Sequence, residues 1–290
     1  MTTAVASPFR FFDLQVLRTR RLTPSLVRVT FGGPELREFR SRGLDQSLSL
    51  FLPHPGQEQP VVPVELGDGW WQAWRELPDG VRAVMRSYTL RGLRTDAAGL
   101  TTEVDIDFVL HGVEGGGGVA AGPASRWAAR AAAGDRVLLL GPAVADNRAI
   151  RFRPPEGTDL ILLWADETAL PATAAVLEAL PSGTPVRAWL EVPHTGDVHD
   201  LTTAAEAEIT WFVRDGLGAA PDVPMALDSI RQEQLPPAAR PYVWIAGESS
   251  GVKALRRHFV DERGTDRRRV TFVGYWRRGL TEEQLREQGE

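Results

Sequence analysis

The second half of the chain carries the feature that most narrows its possible folds: short apolar runs separated by stretches that read as helices. Asp159 to Ala165 (Asp-Leu-Ile-Leu-Leu-Trp-Ala) has the length and continuity of a strand covered on both faces. Val186 to Val192, Glu208 to Val213, Tyr242 to Ala246 and Val270 to Tyr275 repeat that pattern. Between them, Asp166-Glu167-Thr168 and Pro171 open a helix that runs to about Leu180, and Met225 to Gln234 reads as a second. Gly247-Glu248-Ser249-Ser250-Gly251 turns into a third helix, from about Val252 to Glu262. Strands alternating with helices build a parallel sheet, and ligands of such sheets gather at the carboxyl ends of the strands. No Gly-x-Gly-x-x-Gly follows the first strand, so a nicotinamide nucleotide is expected on other loops, with Asp166-Glu167-Thr168 and Gly247-Glu248-Ser249 the candidates. Helix capping is an equally good reading of Asp166 and Ser249. Glu191, near the end of the second strand, is placed to meet a ribose hydroxyl and would then favour NADH.

The first half is patterned for an antiparallel barrel. Phe9 to Leu22, Leu26 to Phe31, Ser47 to Leu52, Met85 to Arg94, Thr102 to His111 and Arg136 to Gly141 read as strands bounded by turn residues. In the fifth of them Val104, Ile106 and Phe108 share one face. Residues 57–84 read as irregular, with Trp70, Trp71 and Trp74 clustered as a covering flap or, the better reading, a satellite core. At 290 residues the chain is expected to divide in two. The expected units are an antiparallel β-barrel over residues 1–154 and an α/β parallel-sheet domain over 155–290.

Within the barrel, Met85-Arg86-Ser87-Tyr88-Thr89-Leu90-Arg91 brings three kinds of group together. Alternation puts Arg86 and Tyr88 on one face of a strand, with Thr89 beside them at its end. A flavin needs a guanidinium for its pyrophosphate, an aromatic ring for its flat face and a donor near its reactive edge. A structural strand with an exposed Arg and a packed Tyr explains the same residues. The stretch Gly112 to Gly122, including the run Gly115 to Gly118, leads into Pro123-Ala124-Ser125-Arg126-Trp127-Ala128 and a helix expected from Ser125 to Ala133. The amides at that helix start, with the Ser125 hydroxyl, make a candidate anion site, though Ser125 also reads as a simple N-cap.

Composition removes several classes of function. The 33 basic and 38 acidic residues leave a formal charge of −5, which argues against general nucleic-acid binding. The chain has no cysteine, which excludes disulfides, thiolate-ligated iron–sulfur clusters and thiol nucleophiles. Its five histidines are scattered without a zinc-binding spacing, so no protein metal site is expected. No secretory pattern opens the sequence and no apolar run has the length of a membrane span, so a cytoplasmic protein is expected, and as a monomer. Basic residues concentrate between Lys253 and Arg278, with Arg277 and Arg278 directly after an apolar strand, a local field suited to an anionic substrate.

Taken in order, Arg86-x-Tyr88-Thr89-x-Arg91, His111-Gly112, Gly122-Pro123-Ala124-Ser125-x-Trp127-Ala128, Asp166-Glu167-Thr168-Ala169-Leu170-Pro171, Ala246-Gly247-Glu248 and Gly274-Tyr275-Trp276-Arg277-x-Gly279 resemble the siderophore-interacting proteins. These are FAD-dependent ferric-siderophore reductases of the ferredoxin-reductase-like superfamily, and the resemblance spans roughly Phe9 to Gly279. It implies that Arg86, Ser87, Tyr88 and Thr89 hold the flavin, with Asp107, Val109, His111, Gly122, Pro123, Ala124 and Ser125 holding the rest of the FAD. Asp166, Glu167, Thr168, Gly247, Glu248 and Ser249 would line the NADH or NADPH side. Ser49 stands where the family often has a Lys facing the siderophore, which leaves Arg126, Arg277 and Arg278 to supply charge and favours a hydroxamate complex over a catecholate. The resemblance implies electron transfer from NAD(P)H through FAD to chelated Fe(III), with no catalytic acid–base pair. A flavin reductase for another acceptor, such as a protein electron carrier or a quinone-like molecule, remains the alternative. A non-catalytic binder of an iron complex or nucleotide is a second.

Overall fold

The computed structural model describes residues 7–112, 121–215, 224–238, 240–280 and 284. It divides into two compact units, the first comprising residues 1–22 and 26–150, the second residues 23–25 and 151–290.

The first unit is one antiparallel sheet. Its strands are β1 (Phe9–Arg21), β2 (Leu26–Gly32), β3 (Ser47–Leu52), β4 (Val84–Thr89), β5 (Gly92–Thr95), β6 (Thr101–Val109) and β7 (Arg136–Pro142). They pair in the order β4-β3-β7-β1-β2-β6-β5. Alternation sends Val104, Ile106 and Phe108 into a core with Phe12, Phe31 and Phe39. Each fully buried aromatic of this kind contributes about 2–3 kcal/mol of transfer free energy. The sheet curls so that the two ends of its order meet through side chains: the rings of Tyr88 on β4 and Phe108 on β6 lie 4.4 Å apart.

Three expectations for this unit are corrected. The strand expected over Met85 to Arg94 is two strands, because the Leu90 amide still bonds the Gln46 carbonyl while the Arg91 amide bonds that of Asp105, on the other end of the sheet order. The stretch from 57 to 84 contains a 3-10 turn and a helix, α1 (Trp70–Glu76). Aromatic residues are mediocre helix formers, but Trp70 and Trp74 fall four apart and share a face. Trp74 is buried with Phe51, Ala83 and Met85, and Trp70, Trp71 and Phe11 pack around them as a satellite core. The helix expected over Ser125 to Ala133 is the shorter α2 (Pro123–Ala128), with Gly122 rather than Ser125 at its N-cap. The Ser125 hydroxyl instead donates to the Val109 carbonyl at 2.9 Å, fastening α2 to the end of β6.

In the second unit, β8 (Leu160–Ala165), β9 (Pro185–Val192), β10 (Glu206–Val213), β11 (Pro241–Glu248) and β12 (Val270–Trp276) form a wholly parallel sheet in the order β10-β9-β8-β11-β12. Every residue of β8 is buried, which is why its sequence reads as unbroken Leu-Ile-Leu-Leu-Trp-Ala. Helices α3 (Leu170–Ala179), α4 (Ala226–Gln232) and α5 (Ser249–Arg257) connect the strands. The last begins three residues earlier than its sequence suggests, because the Glu248 carboxylate accepts from the Ser250 and Gly251 amides and starts it there. It continues into a π-helical turn over His258–Glu262. Within this unit the buried Asp197 carboxylate accepts from the Thr23 hydroxyl, the Ser25 amide and hydroxyl, and the His194 amide.

Candidate functional site

Two groups of residues stand out, one in each unit. In the first unit, pairing Leu48 with Tyr88 and Leu50 with Arg86 puts those two β4 side chains on the core-side face of the sheet. Tyr88 packs half-buried against Phe108, and Thr89 is buried at the strand end. Phe108 in turn meets Trp127 of α2 (centroids 5.7 Å), and Trp127 stacks on Phe31. The chain thus assembles β4, the end of β6 and the start of α2 in one place, with Arg86, Tyr88, Thr89, Val109 and Gly122 to Ser125 as neighbours. His111 and Gly112 follow β6, with Gly112 in the left-handed region (φ 69°) and the His111 side chain exposed. The glycine run Gly115 to Gly118 lies outside the described residues.

Three candidates have other duties than the motif alone suggests. Asp107 is buried, and its carboxylate accepts two hydrogen bonds from Arg28 (2.7 and 2.8 Å), with Arg91 at 3.8 Å. It orients two arginines rather than presenting a free acid. Ser49 pairs with Ser87 and with Leu140, on the sheet face opposite Arg86 and Tyr88. Arg126, in the last turn of α2, donates to the Ala121 carbonyl. Further along the barrel, Asp105 receives Arg94 in a two-point ion pair (2.9 and 2.7 Å) and the Thr30 hydroxyl at 2.6 Å. Burial pushes the Asp105 carboxyl up, but Arg94 and Thr30 outweigh it and hold it below the ordinary range.

The donor set here suits a flavin dinucleotide. Arg86 offers a half-buried guanidinium, the first-turn amides of α2 have no intrahelical acceptor and no side-chain cap, and Tyr88 offers a ring face.

In the second unit, the sheet order reverses between β8 and β11, the position at which parallel sheets open a crevice beyond their carboxyl ends. The crevice here is lined by Trp164, Asp166, Glu191, Arg214, Glu248 and Trp276, with Pro224, Gly251 and Arg278 beside them. Asp166, directly after β8, is buried and takes four hydrogen bonds. Oδ1 accepts from the Thr168 amide (2.9 Å) and hydroxyl (2.5 Å), and Oδ2 from the Glu248 amide (2.7 Å) and the Trp276 indole (2.8 Å). Gly247 passes so close that a Cβ there would stand 2.6 Å from Asp166 Oδ2, at a φ of +148° that side chains rarely adopt. Ser249 donates to the Trp276 carbonyl at 3.0 Å, and the Arg278 amide to Glu248 Oε1 at 3.3 Å.

Four charges gather beneath this rim. Arg214 Nη2 lies 2.5 Å from Glu167 and Arg214 Nη1 3.9 Å from Glu191, all three side chains buried. Glu191 Oε1 accepts from the Trp164 indole and the Ala226 amide, both at 3.1 Å. Its Oε1 is thus engaged inside the unit, while the side chain also lines the crevice where a ribose hydroxyl is expected. Burial pushes Glu191 above the ordinary range against those donors. Asp166 is pushed up to about 7, by burial first and by the neighbouring Glu167 second, with the Thr168 hydroxyl, the Trp276 indole and the Glu248 amide opposing. Burial opposes the charge on Arg214, but Glu167, Asp166 and Glu191 hold its guanidinium above the ordinary range. Sequence reasoning passed over Arg214 and the indole of Trp164; the only available signal was their position at the ends of apolar strands.

An antiparallel half-barrel followed by a doubly wound parallel sheet is the ferredoxin-reductase-like fold. Residues 15–146 match the family model of the siderophore-interacting FAD-binding domain, and residues 158–279 that of the siderophore-interacting protein. The chain belongs to the siderophore-interacting protein family, and its first unit is an FAD-binding domain. It is 31% identical to the ferric vibriobactin reductase ViuB of Vibrio cholerae, covering 95% of this chain and 92% of that one. It is also 31% identical to the NADPH-dependent ferric-chelate reductase of Escherichia coli K12, covering 94% and 95%. The crystal structure of the siderophore-interacting protein SipS from Aeromonas hydrophila superposes with a TM-score of 0.73 at 31% identity, covering 96% of each chain. Among the described residues no group of three or more His, Cys, Asp or Glu could hold a metal ion, and no helix is long and apolar enough to cross a membrane.

Proposed function

We propose that this protein is an FAD-dependent NAD(P)H ferric-siderophore reductase that releases iron from the chelate as Fe(II). The observation that carries the reading is the gathering of Arg86, Tyr88 and Thr89 on one strand beside the start of α2, within a chain matched by the FAD-binding family model. The iron is substrate: hard oxygen ligands hold Fe(III) tightly and Fe(II) poorly, so one electron frees it. The chemistry that bound FAD supplies is the conversion of a two-electron donor into single-electron steps.

The residues themselves bind and orient. Arg86 and the first-turn amides of α2 hold the pyrophosphate charge, Tyr88 gives its ring as a stacking face, and Thr89 sets a hydroxyl at the flavin edge. Ser87, Val109, His111 and Gly122 to Ser125 complete the FAD contacts, with Asp107 holding Arg28 and Arg91 in place. The nicotinamide nucleotide is taken at the carboxyl ends of β8 and β11, where the strand order reverses, by the loops Asp166 to Thr168 and Gly247 to Ser249. Arg126 in the first unit, and Arg277 and Arg278 in the second, are the cations available to an anionic chelate. Ser49 is neutral where the family often carries Lys, which favours a hydroxamate complex of lower negative charge. The reading takes the protein as a monomer acting in the cytoplasm, where NAD(P)H is at hand.

The test is a visible spectrum of the purified protein, followed anaerobically by NADH or NADPH and then a ferric hydroxamate. Flavin bands that bleach with nicotinamide and return as Fe(II) forms are the expected result. Bleaching without reoxidation by any ferric chelate would redirect the assignment to another acceptor. A colourless protein that takes up no FAD would overturn it.

A further inference from the structure

The buried carboxylate of Asp166 is the point where three strand ends of the second unit meet. Its own segment follows β8, the Glu248 amide ends β11 and the Trp276 indole ends β12. With only 4% of its surface exposed, and both oxygens already holding two donors each, it has no free face for a ligand. The groups it holds are the ones that line the crevice. Trp276 stands at the rim, and Glu248 starts α5 and also receives the Arg278 amide. Gly247 lacks the side chain that would collide with the carboxylate, so the β11 turn closes directly onto it.

We propose that Asp166 is a positioning residue: ionised, it latches Trp276 and the Gly247–Glu248 turn into the rim that receives the nicotinamide donor, and protonation weakens both holds. The proposal rests on the reading of this crevice as the donor site. The chemical reason is the donor count. An ionised carboxylate accepts at both oxygens with charge-assisted bonds, whereas a protonated one must place its O–H on a group that can accept and keeps only neutral bonds elsewhere. Of the four partners only the Thr168 hydroxyl can accept that proton, so it belongs on Oδ1, and the Oδ2 bonds from Trp276 and Glu248 fall from charge-assisted to neutral strength. The charged groups around it are Glu167 beside it, Arg214 after β10, Glu191 on β9, Glu248 at the end of β11 and Arg278 after β12. Burial and Glu167 together bring Asp166 to about 7, so the latch titrates in the neutral range.

The experiment compares the FAD-loaded full chain with its Asp166→Asn and Trp276→Phe variants, measuring KM and kcat for NADH and NADPH across pH. In the wild type, KM for the donor should rise as pH falls through about 7 while kcat changes little. Asp166→Asn should raise KM by about tenfold or more, the loss expected for one charge-assisted hydrogen bond, and flatten the pH profile. Trp276→Phe removes one donor from the carboxylate, so its KM profile should keep its shape with a midpoint moved to higher pH. Reduction of the flavin by dithionite and its reoxidation by the ferric complex should be the same in all three. An unchanged KM in Asp166→Asn, or a pH midpoint that survives it, would overturn the latch. Should that variant fail to fold, an unmoved midpoint in Trp276→Phe would overturn it equally. Calorimetric titration of NADP+ and NAD+ into the wild type separates the two readings, since absence of binding sinks the donor site itself. In that event the difference in tryptophan fluorescence between wild type and Trp276→Phe still decides the latch: a transition near pH 7 supports it and a flat difference refutes it.

Discussion

Replacing Arg214 with Met tests the charge balance beneath the crevice. The guanidinium lies 2.5 Å from Glu167 and 3.9 Å from Glu191, and the three side chains are between 4 and 8% exposed. At an effective dielectric of about 20, opposite charges about 4 Å apart attract by about 4 kcal/mol, and each buried ion costs several kcal/mol to desolvate. The pairs therefore sum to little while intact, but removing the cation leaves two carboxylates buried without it. The expected loss is about 3–5 kcal/mol in the second unit, since Met replaces the volume but not the charge. The sign with pH follows from Glu191. Its folded pKa is raised, so its contribution to stability is fullest below its ordinary value of 4.5 and is lost as pH rises through the folded value. Without Arg214 that value rises further, and the deficit should grow with pH. Because the chain has two units, a single melting curve does not isolate this effect, whereas hydrogen exchange of β8 and β9 peptides does. Opening free energies should fall by about 3–5 kcal/mol at about pH 8 and by 1–2 kcal/mol less at about pH 5. Adding Glu167→Gln should restore a large part of the loss. A deficit below about 1 kcal/mol at both pH values, or one independent of pH, would refute the reasoning.

Two further outcomes test the first unit. Glu103 is held at about 2 by Arg18 first and then Arg94, against some burial, so its stabilising effect is present above about 4.5 and disappears as pH falls toward 2; Glu103→Gln should make the acid titration of the barrel, followed by circular dichroism, shallower in that window. Arg86→Ala should weaken FAD binding roughly 10- to 100-fold, the range for a lost charge-assisted hydrogen bond, as read from equilibrium dialysis of the flavin; unchanged affinity would remove Arg86 from the pyrophosphate site.

The parallel sheet was the most legible part of the chain, because a strand buried on both faces has no polar position to blur its ends. All six residues of β8 are buried, and their sequence announces it. The barrel strands were legible where alternation is clean, as in β6. Legibility failed where tertiary partners decide. The break at Leu90 and Arg91 arises because successive amides bond opposite ends of the sheet order, which no local pattern encodes. Helix α1 is a two-turn element held by Phe51 and Met85, not by propensity. At the candidate site, residue types and strand-end positions were readable, but the use of each side chain was not. Ser125 looks like a cap and donates to Val109, and nothing in the sequence shows that Glu191 accepts from Trp164 and Ala226.

These reassignments share one physical cause. A carboxylate near an anionic ligand would repel it, so a chain that receives phosphates does better to set its acids behind its donors. Asp107 holds Arg28 and Arg91, Asp105 holds Arg94, and Asp166 holds an indole and a backbone amide. In each case the acid is buried and the donor it orients lies nearer the surface. Arrangements of this kind need no group that shuttles protons to substrate, since placement of the ligands is the whole of the protein's contribution. Fixing donors before a ligand arrives also reduces the ordering cost of binding, which favours second-row acids over flexible surface cations. On that view Asp166 and Asp105 part in how burial is answered. Arg94 and Thr30 outweigh it at Asp105 and keep that acid ionised, whereas at Asp166 burial acts first and the neighbouring Glu167 adds to it, which turns a fixed support into one that answers to pH.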